Sequence, residues 1–245
     1  MEIFSRNTLF WGEANQRNLQ SKHVAVFGLG GVGGFCAEAL ARAGIGALTI
    51  VDFDKVSASN INRQLVALHS TVGQSKAKLF EARLKDINPQ IKLNITDDFY
   101  TDEDIENIDF AADAIDTMRS KISLLENCIK KDIPVISSMG AGNRMDPSQL
   151  YICDISEIEN KNAPFVSNII YQLKKRGITS GITVVASREK PFSLEKISEN
   201  EKIVTKSGEK IEFVKIIPAS TPFVASCAGI FMASYITRQF ITAGG

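Results

Sequence analysis

The stretch from Lys22 to Lys78 constrains this chain most. The apolar run Val24–Phe27 is followed by a glycine-rich turn, Gly28 to Gly33, and by the small-residue segment Gly34–Ala43. A second apolar run, Ala47–Val51, stops at Asp52. Gly28, Gly30 and Gly33 fit G-x-G-x-x-G with Gly31 inside the turn, and the spacing predicts strand, turn and helix in that order. Such a turn lets backbone N–H groups approach a phosphate at the positive end of a helix. A carboxylate at the end of the second strand, here Asp52, suits ribose hydroxyls. A nucleotide is therefore expected, and either a redox dinucleotide or ATP would satisfy these residues.

The rest of the first 150 residues repeats the alternation. Ala77, Phe80, Leu84 and Ile87 recur at a helical period, and Ile91, Leu93 and Ile95 alternate as a strand does. Phe110–Ile115 and Pro134–Ser137 read as further strands, with a helix over Ser120–Lys130 between them. Strands alternating with helices predict an α/β, Rossmann-like, doubly wound and mainly parallel sheet. Ligands in such sheets bind beyond the strand C-termini, where Asp52, Asp116 and Gly140 all fall. After Tyr151 the pattern loosens. A helix over Phe165–Arg176 and strands over Ile182–Ala186 and Ile211–Ile217 are expected, with a polar and mobile stretch from Ser187 to Glu209. Residues 1–150 are thus expected to form a nucleotide-binding domain, and 151–245 a smaller C-terminal extension completing it.

With 44% hydrophobic and 23% charged residues and a formal net charge of zero, no global field draws the chain to a polyanion. The charge is segregated, however. Residues 1–159 carry 16 Lys and Arg against 22 Asp and Glu, whereas 160–215 carry 11 against 6. A basic segment of this kind can touch a polyanion locally. The four cysteines show no CxxC spacing, three of them (Cys227 among them) are expected in the core, and no oxidising compartment is implied. No basic-then-apolar leader pattern begins the chain. Its longest apolar stretch, Pro222–Ile236, is shorter than a bilayer span and reads as a buried helix. A cytoplasmic protein without stable membrane insertion is expected.

The run Ser59-Asn60-Ile61-Asn62-Arg63-Gln64 separates the two nucleotide readings. Hydride transfer does not require Asn, Arg and Gln clustered there, whereas cleavage of ATP between its α- and β-phosphates does. Arg63 and Lys76 can neutralise charge growing on leaving pyrophosphate, and Asn60 can fix the phosphates. Asp116, at a strand mouth, suits Mg2+, which binds through one or two carboxylates plus substrate phosphates. Asp54 is read either as a nucleotide contact or as an ordinary loop acid, and Asp113 as structural.

These residues, with Phe4-Ser5-Arg6, resemble the ubiquitin-activating-type adenylyltransferase superfamily. The resemblance covers roughly residues 1–150. It implies ATP in the glycine turn and ribose on Asp52. It implies phosphate binding or activation by Asn60, Arg63, Gln64 and Lys76, and magnesium on Asp116. It also implies a homodimer in which Arg6 reaches into the partner subunit's site. Gly140-Ala141-Gly142, Asp146-Pro147-Ser148-Gln149 and Asp154 carry a narrower similarity, to the tRNA threonylcarbamoyladenosine dehydratases, and Ser187 to Pro191 a looser one. Members of that family use ATP to activate the threonyl carboxylate of a modified adenosine in tRNA, which then cyclises with loss of water. On that resemblance Lys161, Lys174, Lys175, Arg176 and Arg188 are expected to meet tRNA phosphates, and a sulfur-relay protein stays open as a partner. The rivals are an adenylyltransferase for a small carrier protein, a nucleotide-sensing scaffold and an NAD-dependent dehydrogenase.

Overall fold

β-branched and apolar pentapeptides separated by amphipathic helices build one seven-stranded sheet in the computed structural model, which describes residues 3–100, 102–161, 163–194, 197–204 and 210–241. The first half runs α1 (Ser5–Gln20), β1 (His23–Phe27), α2 (Gly33–Ala43), β2 (Ala47–Val51), α3 (Lys76–Ile87) and β3 (Lys92–Thr96). The second runs β4 (Phe110–Asp113), α4 (Met118–Lys130), β5 (Val135–Ser138), β6 (Leu150–Asp154), α5 (Pro164–Lys174) and β7 (Thr183–Ser187). A hairpin, β8 (Ile197–Val204) with β9 (Lys210–Ile217), and the helix α6 (Pro222–Phe240) close the chain. The sheet order is β3-β2-β1-β4-β5-β7-β6, with only the β6–β7 pair antiparallel, so the expected doubly wound, mainly parallel architecture holds.

Period-two alternation splits the interior into two layers. Val24 and Val26 of β1 join Leu40, Phe80, Val224 and Met232 on one side of the sheet. Ala25 and Phe27 join Leu124, Leu125, Ile169 and Val184 on the other. Leu40 and Leu124 have no exposed surface, so truncating either to Ala is expected to cost roughly 2–5 kcal/mol. Ser75 caps α3 by accepting the Lys78 N–H at 3.2 Å, which fixes where the helix carrying Lys76 begins.

Three expectations need correcting. The polar stretch Ser187–Glu209, in which no element was expected, contains the strand β8, paired residue for residue with β9; residues 195–196 and 205–209 lie outside the described residues. Its alternation is masked because Glu and Lys occupy many of its positions. β6 carries no clear sequence signal because it is an edge strand whose side chains are mostly half-buried. The strand at Phe110 stops at Asp113 rather than Ile115, because the Asp113 carboxylate accepts the Ile115 N–H at 3.1 Å and turns the chain. The cysteines also divide differently. Cys36 and Cys128 are buried, whereas Cys153 and Cys227 are half-buried, Cys227 on a flank of α6 that packs only partly on the core. Burial pushes the Cys128 thiol up to about 12 and Cys36 higher still, as expected of inert core thiols.

Candidate active site

The sheet order reverses between β1 and β4, and a cavity of about 440 Å³ opens there, beyond the C-terminal ends of β1, β2 and β4. Gly28 turns the chain out of β1 with φ +84°, and a Cβ on it would lie 2.8 Å from the Ala114 carbonyl oxygen. Gly28, Gly30 and Gly31 line the cavity. Gly33 does not. A Cβ there would fall 1.8 Å from the Gly28 carbonyl oxygen, so this glycine lets α2 start directly against the turn and acts on the ligand only through it.

Asp52 leaves β2 almost fully buried. Its Oδ2 accepts the Leu29 N–H at 2.5 Å and its Oδ1 the Asp54 N–H at 2.8 Å, so the carboxylate braces the glycine turn while facing the cavity. Burial pushes its carboxyl up to about 6, against the opposing pull of the Lys76 charge and with a further push from Asp54. Lys76, buried at the start of α3, places its ammonium 2.8 Å from Asp54 Oδ2. Asp54 therefore steers Lys76 as well as lining the cavity.

Asn60 and Gln64, both buried, stand on the loop after β2. Asn60 Oδ1 accepts the Ser57 N–H at 3.1 Å, closing the short helical turn that carries the run. Gln64 Oε1 is buried with no hydrogen-bond partner, an arrangement that costs about 1–3 kcal/mol until a ligand or a turn of the amide relieves it. Arg63 is partly withdrawn from water, with Nη1 donating to Ser59 O at 2.8 Å and Asn62 Oδ1 at 2.9 Å. Burial lowers its guanidinium pKa and the nearby Asp116 charge opposes that shift, so the cation and the carboxylate sit close enough to sense each other across the cavity. Asp116 lies on the strap Ala114–Thr117 that enters α4.

All the expected contacts except two thus surround one cavity. The exceptions are Gly33 and Arg6. Arg6 is exposed on the first turn of α1 and is not among the lining residues. Sequence reasoning missed Phe53 and Phe99, whose rings stack at 4.0 Å in the wall, and Lys55, also lining. Phe53 had a signal, an aromatic next to Asp52, whereas the run around Phe99 has no period to reveal it.

The far wall comes from the second half of the chain. Ala141 and Gly142 line the cavity. The buried Arg144 holds their loop, donating from Nη1 to Gly140 O at 2.5 Å and from Nε to Glu189 O at 3.2 Å. The Glu189 carboxylate in turn accepts the N–H groups of Met145 and Asp146. Asn143, at φ +58°, ties in both stems of the β8–β9 hairpin. It exchanges two hydrogen bonds with Ala219 and accepts the Phe192 N–H on its carbonyl. Of the cations expected to meet a polyanion, Arg176 pairs with Glu126 and Arg188 with Glu159, while Lys174 and Lys175 are exposed.

The chain is similar to known proteins along nearly its whole length. Over 243 residues the chain is 42% identical to tRNA threonylcarbamoyladenosine dehydratase of Bacillus subtilis, covering 97% of this chain and 94% of the relative. It is 31% identical to the Escherichia coli protein of the same name, covering 97% and 88%. The crystal structure of E. coli tRNA N6-threonylcarbamoyladenosine dehydratase, TcdA, in complex with ATP superposes with a TM-score of 0.82 at 28% identity, covering 97% of this chain and 93% of that one. The profile of the ThiF family matches residues 4–162, a segment holding the glycine turn, the Asn60–Gln64 run and Asp116, and the chain belongs to that family.

Proposed function

We propose that this protein is an ATP-dependent tRNA threonylcarbamoyladenosine dehydratase, which adenylates the threonyl carboxylate of the modified nucleoside and lets it cyclise. The observation that carries this reading is the likeness to such dehydratases along 97% of the chain, well past the family segment at 4–162. The cavity supplies what the chemistry needs. The α2 N-terminus and Gly28–Gly31 favour phosphate, and Asp52 suits the ribose. Arg63 and Lys76 face the charge that grows on departing pyrophosphate, and Asn60 and Gln64 hold the phosphates.

The carboxylate oxygen attacks the α-phosphorus, the bond to pyrophosphate breaks, and an acyl-adenylate forms. The carbamoyl group then attacks the acyl carbon, its N–H proton passes to solvent, and AMP leaves with the former carboxylate oxygen, so the nucleoside has lost one water. Because AMP is a good leaving group, positioning and charge stabilisation supply the rate, and no side chain needs to act as general acid.

Asp116 with the Thr117 hydroxyl beside it fits Mg2+, which takes one or two protein carboxylates and fills its shell from substrate phosphates and water. Among the described residues no cluster of three ligating side chains forms a closed metal cage, as suits an ion arriving with ATP. When bound, magnesium would neutralise phosphate charge. Further parts of the proposal are a homodimer in which Arg6 enters the partner's site, an adenylation domain at 1–150 completed by 151–245, a cytoplasmic location and a sulfur-relay partner testable by co-purification. No described helix is long and apolar enough to cross a membrane.

The test is mass spectrometry of nucleosides from tRNA carrying threonylcarbamoyladenosine, incubated with the protein and ATP. Loss of one water from that nucleoside is expected. Pyrophosphate exchange that depends on a carrier protein ending in Gly-Gly, with none on tRNA, would overturn the reading.

A further inference from the structure

Behind the strap that carries Asp116 lies a fully buried ion pair that the proposed chemistry does not use. Asp113, the last residue of β4, and Lys121, on the second turn of α4, both have 0% relative exposure. Lys121 Nζ lies 2.5 Å from Asp113 Oδ2 and 3.0 Å from Ser137 Oγ, and Ser137 donates to the same Oδ2 at 2.6 Å. The other carboxylate oxygen, Oδ1, accepts the Ile115 N–H. A closed triangle thus joins β4, β5 and α4 immediately beneath Ala114–Thr117.

Stability does not explain such a pair. Two charges taken out of water cost several kcal/mol each, and apolar or neutral replacements of similar volume are often as stable. Geometry does explain it. The triangle fixes the point where the chain leaves β4 and the point where α4 turns back, while the Ala114 N–H, donating to Phe27 O at 2.9 Å, ties the start of the strap to β1. That strap also abuts the glycine turn, since Ala114 O lies 2.8 Å from where a Gly28 Cβ would be and Ala114 Cβ 3.0 Å from where a Gly33 Cβ would be. Thr117 and Ser120, on either side of the α4 start, line the same cavity as Asp116.

We propose that Lys121, Asp113 and Ser137 are positioning residues that hold the Asp116 strap where its carboxylate meets the metal-bound phosphates of ATP. The inference rests on the reading of Asp116 given under Proposed function and extends it to three residues that never touch the nucleotide. Groups hydrogen-bonded directly to a metal ligand change metal affinity by about 10–100-fold when removed, and a triangle acting through the Ile115 backbone is expected at the low end of that range.

The test is calorimetric titration of the full-length protein with ATP, with and without Mg2+. The variants are Asp113→Asn/Lys121→Met, Ser137→Ala and Asp116→Asn. The double variant keeps a carbonyl for the Ile115 N–H, fills the lysine stem and leaves no buried charge. It is expected to melt near the wild-type temperature, to bind magnesium-free ATP as before, and to lose about 10-fold of the gain in affinity that Mg2+ confers. A folded double variant with the wild-type magnesium gain, or one weakened equally with and without Mg2+, overturns the proposal. If the double variant does not fold, Ser137→Ala is read by the same two criteria. If Asp116→Asn itself keeps the magnesium gain, the reading of Asp116 fails and the triangle loses its purpose with it.

Discussion

Replacing Asp52 with Asn separates what the nucleotide needs from what the fold prefers. The carboxyl is pushed up from 3.8 to about 6, chiefly by burial. A carboxyl with a higher pKa folded than unfolded binds its proton more tightly in the native state. Its contribution to stability is therefore complete below the unfolded value, declines as pH rises from about 4 to about 6, and is lost above that. Near pH 7 the ionised carboxylate costs the empty protein about 3 kcal/mol. Asn removes that cost but can accept only one of the two N–H groups from Leu29 and Asp54, which returns about 1–2 kcal/mol. A net gain of about 1–2 kcal/mol corresponds to a melting temperature roughly 3–6 °C higher at pH 8. The advantage should shrink steadily toward about pH 4, where the wild-type carboxyl is protonated. ATP affinity should move the other way and fall about 10- to 100-fold, since ribose hydroxyls lose a charged acceptor. Differential scanning fluorimetry between pH 5 and pH 8, with and without ATP, reads both effects. An Asp52→Asn variant that melts at or below wild type at pH 8, or whose advantage does not narrow with falling pH, would refute the burial argument.

Three further outcomes follow from the same geometry. Gly33→Ala places a methyl 1.8 Å from the Gly28 carbonyl oxygen, so little folded protein should be recovered, as judged by circular dichroism of the soluble fraction. Arg6→Ala and Arg63→Ala should each lower tRNA-dependent ATP turnover about 100-fold, yet mixing the two inactive proteins should restore part of it if each Arg6 serves the partner's cavity; no recovery on mixing would remove Arg6 from catalysis in trans. Binding of tRNA should weaken with salt, and Lys174→Gln/Lys175→Gln should lower the slope of log affinity against log salt by about 1–2. Because Arg188 is already engaged by Glu159, Arg188→Gln should change that slope less than either lysine does.

Much of this architecture was legible because its parts are local. The glycine turn, the acid closing β2 and the Asn60–Gln64 run lie within one βαβ unit, so sequence order already dictates which groups share a crevice. The walls built by distant segments were not legible. Phe99 reaches Phe53 only through the pairing of β2 with β3, and Ala141 reaches the cavity only because Arg144 and Glu189 fold its loop back. Asp113 reads as structural, but nothing in the sequence marks Lys121 as its buried partner. A helical period marks which face is apolar, and it gives no warning when a single cation on that face is swallowed to meet an acid across the sheet. β8 failed for the opposite reason, since a charged ribbon off the main sheet carries no signature of burial.

Asn143 binds both the residue where the β8–β9 ribbon departs and the residue where it returns. A detachable cassette has that anatomy. Its two ends leave from neighbouring atoms, so a bridge of about three residues, some 10 Å of extended chain, would span the gap if the ribbon were cut away. Pro218, at the returning end, lines the nucleotide cavity, so the cut must fall before it for the chamber to survive. By the same logic, a graft of different length or charge could be stitched in between Phe192 and Pro218 with the walls of the ATP cavity left in place.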